Sequence, residues 1–565
     1  MGNLPKDSDS YTASRLALIA PPGMHCTSPP LALAVLQAQA AQAAPKCRVR
    51  LFDLNLAHYE QALSWLGQGR LPLEVPGGSV DRFTEAAGQA VAYMSNPRPE
   101  AEGGDISTYL LHQAAYLEFI DRVNLLFGPV SREYLARAAF PGWVEEYFAE
   151  LTGPVLDFGP DLCGVSILLM RQLWPGMIIG RLLKQTGAKV VFGGATLAAK
   201  PRPQTLLDDS IAVPLDGGSR RINPADCLDA LVIGEGEAAL GRLLKDPGGD
   251  PFRVPGLAFR AGAVVHTNPS EMPQDLDLLP PPDFSGLPLA DYHSPEPVLP
   301  YLSTRGCFWG RCAFCTHHKT YHTYREESVD RTAANLAQLA RRHGSRFFTF
   351  SDEMIHPNRF SRLGAAIKRT GLGLQYLAYA KPTGGFTKPV MASLATSGLR
   401  VMQWGVESGS QRTLNRMKKG LRLEKVEDVL AAAHAAGVLN MVFLLFGFPG
   451  ETPGEWGETL AMVERNRENI DVVADSLFIL PEGCDVFNNP ADYGVTTIDQ
   501  RATDIPITMA YDYQVAAGIS QLEAKEMIVA TRDKLTEYYG RVRDLYRLRD
   551  HLLFLASPQW PPGSA

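Results

Sequence analysis

Cysteine is scarce in this chain, eight residues in 565, which excludes a disulfide scaffold standing in for a hydrophobic core. A basic excess is also missing: 54 Lys and Arg face 61 Asp and Glu, a net charge of −7. Without an overall positive field the chain is not expected to hold nucleic acid phosphates or anionic lipid. No apolar run approaches the roughly 18 residues needed to cross a bilayer. The best of them, Met441 to Phe446, reads as a buried strand. The apolar stretch Leu16 to Ala20 runs into Pro21-Pro22 with no basic segment before it, so it is not read as a secretory signal. Met1-Gly2 has Lys6 where a myristoylation signal needs Ser or Thr. A soluble, cytoplasmic protein with no membrane span is expected.

What is present is a large apolar fraction, 45%, enough for several cores. At about 150 residues per domain the length predicts three to four units. Five cysteines (Cys26, Cys47, Cys163, Cys227 and Cys484) are scattered, whereas Cys307, Cys312 and Cys315 fall within nine residues. That density in an intracellular chain points to metal or redox chemistry rather than crosslinking.

Hydrophobic patterning predicts an opening βαβ unit, with strands at 15–20 and 48–54 around a helix at 31–44. Residues 57 to about 150 carry aromatics and helix formers with little strand signal, which predicts a helical insertion. The βα rhythm resumes with strands at 163–170, 189–192 and 230–233 and helices at 176–186 and 237–244, predicting a parallel sheet covered on both faces. Glycines close two of these strands, in Val191-Phe192-Gly193-Gly194 and Val232-Ile233-Gly234-Glu235-Gly236-Glu237. They let a ligand approach the backbone at the carboxyl edge, although tight turns use the same residues. Neither matches the dinucleotide fingerprint or the phosphate loop.

A Pro-rich linker at 279–300 introduces a second region. Six strand candidates follow, at 298–303, 346–350, 374–378, 400–406, 440–446 and 475–480. Between the first two a helix runs from its N-cap Ser328 to His343, with Gly344 just past its end. Six βα units of this spacing suit a partial or complete parallel barrel, whose site lies at the strand C-termini. Residues beyond 500 read as helical, with Met527, Tyr538, Tyr546 and Leu552 among charges, and are expected to pack on the barrel or on a partner.

The loop Thr304-Arg305-Gly306-Cys307-Phe308-Trp309-Gly310-Arg311-Cys312-Ala313-Phe314-Cys315 follows the first barrel strand. Three soft thiolates on one loop fit an iron–sulfur cluster whose fourth iron has no protein ligand. A zinc knuckle using the same cysteines with His317, His318 or His322 is the alternative.

These residues resemble those of radical S-adenosylmethionine (SAM) enzymes, specifically the subgroup carrying a cobalamin-binding domain. The resemblance covers roughly residues 15–56 and 155–490. It implies an α/β chain in which a Rossmann-like cobalamin-binding domain (1–285, with the helical insertion at about 57–150) precedes a partial (β/α)6 radical SAM barrel (286–495) and a helical C-terminal region (496–565). It implies that Cys307, Cys312 and Cys315 hold a 4Fe-4S cluster, although four residues separate the first two cysteines where the family usually has three. Phe314 sits where the family contacts the adenine. Asp352 and Glu353, in Phe350-Ser351-Asp352-Glu353, end the second strand where an acidic group approaches the SAM amino group. Glu407 and Ser408, in Gly405-Val406-Glu407-Ser408-Gly409, match the signature for SAM polar groups, and Gly447 opens the turn Gly447-Phe448-Pro449-Gly450-Glu451-Thr452 that flanks SAM.

By the same resemblance Ser166, Gly193, Gly194, Gly234 and Gly236 are the cobalamin contacts. No Asp-x-His-x-x-Gly occurs, so a histidine beneath cobalt is not expected. Cys484 is the candidate catalytic thiol, able to donate hydrogen to a substrate radical. The implied activity is radical C-methylation of a natural-product or peptide intermediate through a 5'-deoxyadenosyl radical and methylcobalamin. It would need an external one-electron donor such as flavodoxin or ferredoxin. Two alternatives stay open: a non-methylating rearrangement, oxidation or cyclisation, and a cobalamin or iron–sulfur sensor without turnover. The absence of a second cysteine triplet argues against a methylthiotransferase.

Overall fold

The computed structural model describes residues 14–96, 106–136, 142–199, 202–215, 218–246, 248–272, 275–316, 321, 323–499 and 510–557. Two sheets organise them. The N-terminal sheet contains β1 (Arg15–Ala20), β2 (Arg48–Asp53), β3 (Leu162–Ser166) and β4 (Lys189–Gly193). A side hairpin, β5 (Ile211–Leu215) with β6 (Gly218–Ile222), precedes β7 (Ala230–Val232), β8 (Leu257–Ala261) and β9 (Val264–Thr267). The strand order is β2-β1-β3-β4-β7-β8-β9, parallel up to β7 and antiparallel after it. Parallel neighbours need helical crossovers, and these cover both faces. Leu16, Leu18 and Ala20 of β1 pack with the helices Leu31–Ala43 and Gly236–Lys245. Ala17 and Ile19, on the opposite face, pack with the insertion. The insertion is helical as expected, formed by Leu54–Gly67, Val80–Ser95, Ile106–Ala136 and Gly142–Phe158.

The chain leaves β1 toward β2 on one side and returns to β3 on the other, so the order reverses between β1 and β3. Open α/β sheets bind ligands at such a point. Here Gln172 staples the two loops together: its carboxamide oxygen accepts from the N–H of Leu168 and Leu169 at 2.9 Å each, and its amide donates to the Pro21 carbonyl at 2.7 Å.

The second sheet holds β10 (Val298–Tyr301), β13 (Phe347–Phe350), β14 (Gln375–Ala380), β15 (Leu399–Glu407), β16 (Leu439–Phe446) and β17 (Val472–Leu477), in chain order and wholly parallel. Between β10 and β13 lies a short antiparallel pair, β11 (Thr304–Arg305) with β12 (Arg325–Glu326). The last barrel strand runs from Val472 to Leu477 rather than over the expected 475–480, and Asp475 lies in its middle, its carboxylate buried against Arg532 and Arg543. The helix expected after β12 is present, capped by the Ser328 hydroxyl on the Arg331 N–H and stopped by Gly344 in the left-handed conformation.

Alternation along the barrel strands separates two faces. Tyr376, Ala378, Met402, Trp404, Val442 and Leu444 pack outward under the helices. Val298, Phe347, Leu377, Val401, Met441 and Val472 point inward. This inner apolar layer is filled by the C-terminal helix Arg549–Leu555, whose Phe554 ring lies 4.5 Å from Phe347. Asp550 on that helix accepts hydrogen bonds from Thr349 of the barrel and from Thr27 in the loop after β1, both at 2.7 Å. The C-terminal region therefore does two jobs. Helix Gln521–Tyr539 packs on the outside at β17, with the Trp456 indole donating to Thr531, and the last helix enters the inner face. A final pair, β18 (Val495–Ile498) with β19 (Tyr513–Val515), closes over the end of the barrel.

Candidate functional site

The cysteine loop leaves the barrel at β11 and returns at β12, so the antiparallel pair zips its two ends. Below it, Asp352 is buried and accepts from the Ser303 N–H and hydroxyl at 3.2 and 2.8 Å and from the Thr304 hydroxyl at 2.6 Å. Burial raises its pKa. The structure thus uses Asp352 to brace the start of the loop. Glu353, beside it, is half-buried within electrostatic reach of Tyr321.

The far end of the loop is pinned twice. Ala313 donates to the Met417 carbonyl at 2.9 Å, and its own carbonyl accepts from Val486 at 3.2 Å. Phe314 joins the apolar nucleus formed by Ala313, Phe448 and Cys484. The structure therefore brings together Phe314, the Gly447 turn and Cys484, three segments that are far apart in sequence. Cys484 is fully buried and caps a short helix, its sulfur accepting from the Phe487 N–H at 3.4 Å.

Glu407 sits at a β-bulge at the end of β15, with φ of 73°. A left-handed backbone at a non-glycine residue costs about 1–2 kcal/mol, and such strain collects at functional sites. Its carboxylate accepts from Lys419 Nζ at 2.7 Å in a buried pair. Ser408 is fully buried, its hydroxyl engaged with Thr459 and the Ser410 N–H at 3.1 Å each. Gly409 is required here: a Cβ would lie 2.7 Å from Met462 Cβ and Thr459 Cα. Gly447 donates to Glu451 at 2.6 Å, and Glu451 is buried with one oxygen lacking a partner.

Two lysines that sequence reasoning missed flank the thiols. Lys419 is within electrostatic reach of Cys312 and Cys315, and Lys381 of Cys307 and Cys312. Lys381 lies over the Trp309 ring at 3.6 Å, and burial lowers its pKa to about 8. A lysine directly after the apolar run of β14 was the available signal. Burial raises the Cys312 thiol. Among the described residues no three His, Cys, Asp or Glu side chains converge as a metal cage, and His317, His318 and His322 lie outside the described residues. The three thiols share one zipped loop next to two cations, a soft donor set suited to an anionic iron–sulfur cluster. None of the eight cysteines is in a disulfide.

At the N-terminal sheet Ser166, Gly193, Gly194, Gly234 and Gly236 lie at the carboxyl ends of β3, β4 and β7. Gly194 has φ of 115°, and a Cβ there would meet the Ile167 backbone at 2.4 Å, so the tips of β3 and β4 touch. Leu168 and Leu169, just beyond β3, are exposed. Glu235 and Glu237, between and after the glycines, are buried against Arg305, and Arg325 joins Glu235. Sequence reading took this turn for its glycines alone and missed the acids.

Residues 301–463 match the Radical SAM superfamily. Such a domain implies a 4Fe-4S cluster and SAM. An uncharacterised methyltransferase of Pyrococcus horikoshii is 23% identical over 381 residues, 66% of this chain and 73% of that protein. A putative methylthiotransferase of Methanocaldococcus jannaschii is 24% identical over 278 residues, 45% of this chain and 55% of that protein. Among solved structures, the radical SAM methyltransferase TsrM of Kitasatospora setae, with tryptophan substrate and a SAM analogue bound, superposes with a TM-score of 0.55. It is 17% identical, over 84% of this chain and 75% of TsrM. The cobalamin-dependent radical enzyme OxsB, with aqua-cobalamin and SAM bound, gives 0.53 at 14% identity, over 85% of this chain and 56% of OxsB. Identities this low establish the fold. No described helix is long and apolar enough to cross a membrane. Residues 301–463 are thus a radical SAM domain, carried in an α/β chain that shares the fold of cobalamin-dependent radical SAM enzymes.

Proposed function

We propose that this chain is a cobalamin-dependent radical SAM methyltransferase acting on an unactivated carbon of a natural-product or peptide intermediate. One observation carries the reading. The carboxyl edge of the N-terminal sheet meets the carboxyl edge of the barrel at the cysteine loop, through Glu235 and Glu237 against Arg305 and Arg325. Two ligand-binding edges that face one another at the loop form a site for two cofactors and a substrate. TsrM and OxsB support this with tryptophan, aqua-cobalamin and SAM in their structures.

Cys307, Cys312 and Cys315 would hold the cluster, with Phe314, Asp352, Glu353, Glu407, Ser408 and Gly447 around SAM. Ser166, Gly193, Gly194, Gly234 and Gly236 would rim the corrinoid, and exposed Leu168 and Leu169 beside the switch point offer its macrocycle an apolar seat. The cluster and SAM supply one-electron cleavage chemistry, and the corrinoid supplies a methyl carrier. The protein's own contribution is placement and exclusion of water. Asp352 fixes the loop root, Lys419 neutralises Glu407, and the C-terminal helix plugs the barrel floor. Cys484, closed off at the edge of the same nucleus, is the proposed hydrogen donor.

The test is anaerobic reconstitution with iron, sulfide and hydroxocobalamin, followed by absorbance, metal analysis and nucleoside analysis. The expected result is about four irons and four sulfides per chain, as a 4Fe-4S cluster demands, one corrinoid, and 5'-deoxyadenosine formed from SAM under reduction by flavodoxin. Methylation predicts a product heavier by about 14 mass units. Stoichiometric zinc without sulfide overturns the reading, and an unchanged product mass selects the non-methylating alternative.

A further inference from the structure

Above the apolar floor of the barrel, the next inward-facing positions are Thr349, Tyr379, Gln403 and Phe443. Tyr379 and Phe443 stack with ring centroids 5.1 Å apart and planes 17° apart. Gln403 is almost wholly buried, yet its Nε2 has no hydrogen-bond partner. An unpartnered buried amide is expensive and marks a place where a ligand atom is expected.

Arg549 comes to this layer from the C-terminal helix. Its guanidinium reaches the Gln403 carboxamide oxygen at 3.4 Å and the Tyr379 hydroxyl at 3.5 Å, both long contacts to neutral groups. The side chain is exposed, and among the described residues no carboxylate pairs with it. Its neighbours are already committed. Asp550 holds Thr27 and Thr349, and Asp121 holds Arg547. Arg547, Arg171 and Arg549 all act electrostatically on His25, in the loop after β1, and Asp121 opposes them there.

A guanidinium has five N–H donors in a planar fork that matches a carboxylate. Here it stands without a counter-ion, beside an amide donor and an aromatic stack. We propose that Arg549, Gln403 and Tyr379 form a binding site for the carboxylate of the substrate, whose planar or apolar body lies against Tyr379 and Phe443. The proposal rests on the methyltransferase reading and narrows its substrate class to organic carboxylates. Arg549 then determines specificity without touching the cluster loop.

The experiment uses full-length protein loaded with cluster and hydroxocobalamin, and saturation-transfer NMR with 3-phenylpropionate and its neutral amide, 3-phenylpropanamide. Loss of a charge-assisted hydrogen bond is worth on the order of tenfold or more in affinity. The carboxylate is therefore expected to bind at least about tenfold tighter than the amide. That ratio should fall to within about twofold in Arg549→Gln and be partly kept in Arg549→Lys. Gln403→Glu, which supplies an internal partner for Arg549, should abolish carboxylate binding while leaving the helix in place. Equal binding of both probes, no binding of either, or an unchanged ratio in Arg549→Gln overturns the proposal. So does a second outcome: Arg549→Gln weakening hydroxocobalamin but not cobinamide would assign the guanidinium to the corrinoid phosphodiester. Binding needs no turnover. In the unsubstituted protein, no preference together with intact SAM cleavage sinks this inference alone, and a clear preference without SAM cleavage sinks only the methyltransferase reading.

Discussion

Arg305, two residues before the first cysteine of the loop, is buried against Glu235 at the carboxyl end of the N-terminal sheet. Glu237 takes the other nitrogen of the same guanidinium at 2.5 Å, and Arg325, Arg305's partner across the β11–β12 pair, completes the set with Glu235. Two acids and two guanidiniums balance in charge. They connect the turn that carries Gly234 and Gly236 to both ends of the cysteine loop.

Removing one member leaves a buried, unpaired charge, which costs about 3–5 kcal/mol. Glu235→Gln is therefore expected to lower the unfolding free energy measured in urea by that order and to lower iron retained after reconstitution, since the zipped loop loses its anchor. The double variant Glu235→Leu with Arg305→Met should recover part of the stability. A single variant that unfolds on the wild-type curve would show that the ion set does not hold the sheets together.

Glu451 provides a pH dependence. Burial raises its pKa from the ordinary 4.5 to about 7, against two backbone N–H donors that pull the other way. The folded state therefore binds this proton more tightly than the unfolded chain. The stabilisation is fully present below about pH 4.5 and is lost as pH rises to about 7. At about 1.36 kcal/mol per pH unit the loss is roughly 3 kcal/mol. Glu451→Gln keeps an acceptor for Gly447 and never ionises. Its stability relative to the parent should rise by that order between pH 5 and pH 8 in denaturant titrations. A parallel pair of curves would rule this group out.

Cys312→Ala should lose most iron and sulfide while retaining hydroxocobalamin, because the thiols lie on the barrel loop and the glycine rim belongs to the other sheet. Metal analysis beside a corrinoid spectrum decides it. Full cluster content would remove the ligand assignment.

Glu407→Gln keeps the size of the side chain while ending its ion pair with Lys419. SAM affinity is expected to fall about tenfold, the effect of one charge-assisted hydrogen bond, with iron content unchanged. Equilibrium dialysis with SAM on the reconstituted variant measures it. An unaltered affinity would limit Glu407 to holding Lys419.

Much of the architecture could be read from local pattern. Short apolar runs such as Leu374 to Ala378 and Met441 to Phe446, caps such as Ser328 and Gly344, and turn glycines act within a few residues, so they are visible in one dimension. The three thiols were legible for the same reason. Other features depend on contacts between distant segments. Lys381 and Lys419 carry no motif, and they became visible as partners of the cysteine loop only when β14 and the segment after β15 were placed beside it. Ser408 and Asp352 show the converse. Their motifs were legible, whereas the hydroxyl and carboxylate are already engaged with Thr459, Ser303 and Thr304.

The sequence by itself determined the parallel parts of the two α/β sheets, the helical insertion and the sulfur-rich loop after the first barrel strand, because periodicity and spacing are local and strong, whereas the antiparallel edge β8–β9 was not read from it. Only the tertiary structure decided that Glu235 and Glu237 grip Arg305 and that Arg549 from the C-terminal helix stands inside the barrel beside Gln403. Such pairings join residues 68 to 146 positions apart. At those separations the side chains meet only because the hydrophobic cores bring their elements together.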